Sequence, residues 1–124
     1  MRRPAGTLDP MRIAVLLVLA FATLPGCGGD VAPPEPCTDP VATTSVELAD
    51  FAFRPDCLST DAGATMTLEN TGDALHTFTV TGTDVDVSVD AGTSGEASLS
   101  GVAAGTYAVT CTLHPQMVAT LTVA

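Results

Sequence analysis

From Thr44 to Ala124, no stretch of this chain carries a long apolar pattern of helical period. Thr, Val and Ala dominate, and breaks such as Asn70-Thr71-Gly72-Asp73, Asp90-Ala91-Gly92 and Ala103-Ala104-Gly105 recur every few residues. Short alternating segments cut by Gly, Asn and Asp predict strands joined by tight turns. The expected strands are Ser45–Phe53, Cys57–Thr60, Ala64–Asn70, Leu75–Thr81, Val85–Val89, Glu96–Ser100, Thr106–Thr112 and Met117–Val123. About eight short strands at this spacing predict an all-β domain, a sandwich or a barrel.

Successive side chains of a strand point to opposite faces, so parity assigns the core. His76, Phe78 and Val80 share one parity, as do Tyr107, Val109 and Cys111, and Met117, Ala119, Leu121 and Val123. In each strand this is the apolar or bulkier set. The first strand changes phase between Val46 and Leu48 and the pair Phe51 and Phe53, which predicts a bulge near Ala49-Asp50. An imidazole, a thiol and a thioether thus occupy core-facing positions at three strand ends. His76 opens one inward row, Cys111 closes another and Met117 opens a third.

The N-terminus has a different character. Arg2, Arg3 and Arg12 precede the apolar run Ile13–Leu24, about a dozen residues and too short for a bilayer-spanning helix. This pattern is that of an export signal, and Met11 opens a more compact version of it than Met1. Leu24-Pro25-Gly26-Cys27 resembles a bacterial lipobox, which implies cleavage before Cys27 and its acylation. An ordinary secretory signal with a coincidental cysteine is the alternative, and it too exports the chain into a disulfide-permitting compartment. Residues 27–43 contain Pro33, Pro34, Pro36 and Pro40 and read as an extended tether. The expected layout is a signal peptide at 1–26, a tether at 27–43 and one domain at 44–124, lipid-anchored on the periplasmic or extracellular side of a membrane.

Charge excludes some functions. The 124 residues carry 14 acidic side chains against four arginines, a net charge of −10. Loss of residues 1–26 leaves 13 acids facing Arg54 alone, a net charge of −12. Such a chain lacks the cations that bind nucleic-acid phosphates. It is drawn toward basic surfaces, or the acidity serves solubility alone. With only two histidines, any metal site must recruit other ligands.

Cys111-Thr112-Leu113-His114-Pro115-Gln116-Met117 supplies them: a cysteine, a histidine three residues on, and a methionine three further. His76 adds a second imidazole from a separate strand. Two imidazoles with one thiolate and a weak thioether match the blue-copper donor set. Zinc accepts thiolate and imidazole but has little use for a thioether, so copper is favoured.

On these residues the chain resembles the small cupredoxins, the plastocyanin and amicyanin family. The matching segments are SVELADFAF at 45–53, LHTFTV at 75–80 and TYAVTCTLHPQMVATLTV at 106–123, and the Cys-x2-His-x2-Met spacing is the short loop of amicyanins. The resemblance implies a Greek-key β-sandwich and one type 1 copper, with His76, Cys111 and His114 as equatorial ligands and Met117 as the axial one. Many members carry Asn after the first histidine, where it helps hold the cysteine loop. Here Thr77 stands there, and its hydroxyl is the available substitute.

Four protein ligands leave no open coordination position, so the resemblance implies an electron carrier and no enzyme. It also implies a monomer that meets redox proteins such as cytochromes through His114, ringed by Leu113, Pro115 and Gln116. A copper-delivery protein is the alternative, although the chain lacks the Met- or His-rich tracts usual for that task. A domain with a vestigial site is another. With Cys27 assigned to lipid and Cys111 to copper, Cys37 and Cys57 remain. They are expected to pair, closing a loop of about twenty residues worth roughly 3 kcal/mol; two free thiols are the alternative.

Overall fold

The computed structural model describes residues 35–124. The expected signal peptide, Cys27 and the first residues of the tether lie outside the described residues. Ten strands run in chain order: β1 (Val41–Ala42), β2 (Ser45–Ala49), β3 (Ala52–Arg54), β4 (Cys57–Thr60), β5 (Thr65–Asn70), β6 (His76–Val80), β7 (Asp86–Val89), β8 (Ser94–Ser98), β9 (Gly105–Cys111) and β10 (His114–Val123). No helix occurs among the described residues. One sheet has the order β1-β4-β10-β9-β6-β7 and the other β3-β2-β5-β8. This is an all-β sandwich.

Alternation decides which face each strand buries. β5 shows strict exposed-buried alternation, with Met66, Leu68 and Asn70 inward. The predicted inward rows hold: Phe78, Val80, Val109, Met117 and Leu121 have no exposed surface. These side chains join Val46, Leu48 and Phe53 of the smaller sheet in a single core. Phe53 of β3 meets Phe78 of β6 edge to face, ring centres 6.1 Å apart, and so ties the two sheets together. Each large apolar side chain removed from water contributes about 1.5–3 kcal/mol.

The phase change in the first segment has another cause than a bulge. β2 and β3 pair antiparallel, with Leu48 opposite Phe53 and Ala49 opposite Ala52. Asp50 and Phe51 form a two-residue hairpin turn, and Phe51 takes the left-handed conformation with φ of 66°. An inserted residue and a two-residue reversal shift parity alike along one dimension, so the pattern does not separate them. The hairpin removes Phe51 from the core and leaves it 53% exposed.

This split, together with β1, raises the strand count to ten. β1 lies parallel to β4, with Val41 opposite Leu58, and the Thr43 amide donates to the Ser59 carbonyl at 3.0 Å. A disulfide joins Cys37 to Cys57, with Cα atoms 6.0 Å apart. The last strand also begins earlier than Met117. His114 already pairs with Cys111, and the register shifts before pairing resumes at Val118.

Candidate metal centre

His76 begins β6, and the turn that delivers it is fixed by Asn70. This buried amide donates to the carbonyls of Ala74 and Val89, both at 2.8 Å, and accepts from the Gly72 amide at 2.9 Å. Two of these bonds close the turn and the third ties it to Val89 of β7, so the backbone entering β6 has little freedom. The His76 side chain then continues the inward row of Phe78 and Val80 and is wholly buried.

Cys111 ends β9 and is 1% exposed. Its sulfur lies 3.9 Å from Nδ1 of His76 and 3.5 Å from Nδ1 of His114. The three donor atoms all fall within 4.8 Å of one another. The imidazole rings tilt by 60° with centres 5.0 Å apart. Met117 is completely buried and belongs to the same core cluster as Cys111. The structure therefore brings three of the four expected residues together through their donor atoms and buries the fourth where β10 resumes its pairing.

The backbone amide of Thr77 donates to the Cys111 sulfur at 3.3 Å, tying the start of β6 to the end of β9. The Thr77 hydroxyl accepts from the Thr112 amide at 2.9 Å. It also contacts the hydroxyls of Thr79 at 3.0 Å and Thr112 at 3.3 Å. Thr79 in turn donates to Asp86 at 2.8 Å. A threonine thus ties β6 to the residue that follows Cys111, the task expected of an asparagine.

Two neighbours of the site were not expected from the sequence. Asp50 Oδ1 lies 3.2 Å from His76 Nε2. The Asp73 amide donates to both Asp50 oxygens, at 3.0 and 3.2 Å. That donation, aided by the His76 contact and opposed by desolvation, holds the Asp50 carboxyl below its ordinary value. Phe51 packs edge-on against His114, ring centres 5.1 Å apart at 77°. Both sit on the Asp50-Phe51 hairpin, which the sequence pattern did not separate from a bulge. β2 runs parallel to β5 with Leu48 opposite Asn70, which places the hairpin tip beside the turn leading into His76. His114 is only half-buried, and Phe51, Leu113, Pro115 and Gln116 around it are exposed.

The family model of the cupredoxin-like domain matches residues 12–123. The chain belongs to the cupredoxin family. Among solved structures, the purple cupredoxin from Nitrosopumilus maritimus aligns at a TM-score of 0.53 with 18% identity, over 64% of this cupredoxin and 98% of the other chain. A reduced Cu(I) amicyanin variant aligns at 0.54 with 22% identity, over 64% of this chain and 80% of that one. A copper-containing nitrite reductase from Thermus scotoductus aligns at 0.55 with 18% identity; the match spans 76% of this chain but 25% of that enzyme. These likenesses show the fold. No curated protein matches the chain.

Cupredoxins are electron-transfer copper proteins, and the cofactor here is one type 1 copper. The donor set fits it: one buried thiol between two imidazole nitrogens, with a buried thioether on the following strand.

Proposed function

We propose that this cupredoxin is an exported, membrane-anchored carrier of single electrons, in which His76, Cys111, His114 and Met117 would hold the copper ion. The convergence of two Nδ1 atoms on the Cys111 sulfur carries this reading. Copper supplies a one-electron couple when bound. The chain supplies a frame that resists rearrangement. His76 is held by the Asn70-braced turn, and Cys111 and His114 are held by the Thr77–Thr112 link. Copper, when bound, would hold Cys111 as its thiolate, and the Thr77 amide donates a hydrogen bond to that sulfur. Four protein donors leave no position for substrate, which supports a carrier over an enzyme.

His114, half-buried among Leu113, Pro115 and Phe51, is the route for the electron, and that rim suits brief docking. A processed chain of net charge −12 favours partners with basic surfaces and a salt-dependent association rate. The Leu24-Pro25-Gly26-Cys27 segment supports a lipid anchor at Cys27.

Mixing the purified processed chain with Cu(II) should give intense visible absorption from thiolate-to-copper charge transfer, abolished in Cys111→Ala. A colourless complex, or colour that survives that substitution, refutes the reading. Cys27→Ser should move the protein from the membrane fraction to the soluble one; unchanged fractionation refutes the anchor.

A further inference from the structure

We propose that Asp50 is a positioning residue for the metal centre: from the hairpin tip its carboxylate fixes His76 with Nδ1 toward Cys111 and lowers the reduction potential. This rests on the reading of His76 as a copper ligand.

A histidine offers two nitrogens, and the partner of one decides what the other can do. In His76, Nδ1 is the nitrogen 3.9 Å from the Cys111 sulfur and Nε2 is the one 3.2 Å from Asp50 Oδ1. An ionised carboxylate only accepts hydrogen bonds. Nε2 therefore carries the proton and donates it to Asp50, which leaves the Nδ1 lone pair free on the cysteine side. Without that acceptor, only the modest intrinsic preference of neutral histidine for this tautomer remains, and the proton is no longer fixed on one nitrogen.

The arrangement is built from three separate pieces. Asp50 comes from the β2–β3 hairpin of the smaller sheet, and His76 from β6 of the larger. The third piece is the turn after Asn70. Its Asp73 amide grips both carboxylate oxygens. Its Gly72 gives the carboxylate room: a Cβ at that position would collide with Asp50 Oδ1 and lie 3.0 Å from His76 Nε2. His76 is fully buried, whereas the Asp50 side chain is 39% exposed. The only other ion pair among the described residues is Arg54 with Glu47. No cation among the described residues therefore pairs with Asp50 to offset its charge on the imidazole.

A negative charge hydrogen-bonded to a ligand stabilises the more positive metal state, which is Cu(II). Charge-assisted hydrogen bonds are about twice as strong as neutral ones. Replacing carboxylate by carboxamide is expected to shift the Cu(II)/Cu(I) equilibrium about tenfold toward Cu(I), which is 59 mV for a one-electron couple.

The test separates geometry from charge. Nitrogen-15 NMR of the copper-free processed protein, at a pH where imidazole is neutral, reads the His76 tautomer directly. Wild type and Asp50→Asn should both hold the proton on Nε2, since either side chain accepts there. Asp50→Ala should give mixed tautomers. Gly72→Ala, which displaces the carboxylate, should do the same. In the copper-loaded protein, Asp50→Asn should keep the visible absorption and raise the potential by about the amount above. A wild-type tautomer in Asp50→Ala overturns the positioning role, and a wild-type potential in Asp50→Asn overturns the charge effect. A wild-type protein that stays colourless with Cu(II) instead defeats the ligand assignment, and the copper-free tautomers still decide what Asp50 does to His76.

Discussion

Thr77→Val isolates the hydroxyl that ties β6 to the cysteine loop. Valine keeps the shape and suits a strand, so packing is preserved at a site only 4% exposed. The hydroxyl accepts from the Thr112 amide at 2.9 Å. Its one proton serves either Thr79 or Thr112, at 3.0 and 3.3 Å. The substitution therefore removes two hydrogen bonds, each worth about 0.5–1.5 kcal/mol net. Thr112 is exposed, so water can reach the orphaned amide, and Thr79 keeps Asp86. The expected loss is about 1–2 kcal/mol. For a domain of this size that corresponds to a melting temperature lower by roughly 4–16 °C. Urea titration of the copper-free protein should show a lower midpoint at an unchanged slope, which reports stability without altered exposed surface. Thr77→Asn, the residue usual in the resembled family, should recover part of the loss; Thr77→Ala should lose more through its missing methyl. An unchanged midpoint in Thr77→Val would show that the link carries no stability, and the account of Thr77 as a substitute for asparagine would fail.

Three further outcomes follow from the same geometry. Phe78→Ala opens a cavity where β6 meets Phe53, and the urea midpoint should reveal a loss of about 3–5 kcal/mol, with Phe78→Leu losing much less. Replacing both Cys37 and Cys57 by serine releases a 20-residue loop and should cost roughly 3 kcal/mol by the same assay, with no change in the visible absorption of the copper form. Asp50 has a folded pKa below its ordinary 3.8, so its contribution is complete above that value and fades as the pH falls through the folded one. Acid titration of the copper-free Asp50→Asn variant should thus show a shallower loss of stability below about pH 4 than the wild type; parallel acid limbs refute this.

Much of the architecture is legible along the chain because strand alternation is a local property. The rows ending at His76, Cys111 and Met117 need only parity to be placed inward, and their burial follows. The spacing of Cys111, His114 and Met117 is equally local, since one short connection between two paired strands carries all three. The hairpin at Asp50-Phe51 was not legible, because a reversal and a bulge shift parity alike. Once the hairpin is misread, its tip cannot be placed beside the turn after Asn70, and the contacts of Asp50 and Phe51 with the two imidazoles vanish from view. The role of Thr77 was only half legible: its position after His76 pointed to it, but its partner lies on another strand.

By itself, then, the sequence determined the all-β class, the inventory of soft and imidazole donors, and which strand faces they occupy. These depend on residue type and on a period of two, which act within a few residues. Tertiary structure alone decided how the donors are held. Asp50 reaches His76 across 26 residues and Thr77 reaches Thr112 across 35. Such contacts exist only after strands distant in sequence have paired: β2 beside β5 brings the hairpin tip to the Asn70 turn that leads into His76, and β6 beside β9 brings Thr77 to the cysteine loop.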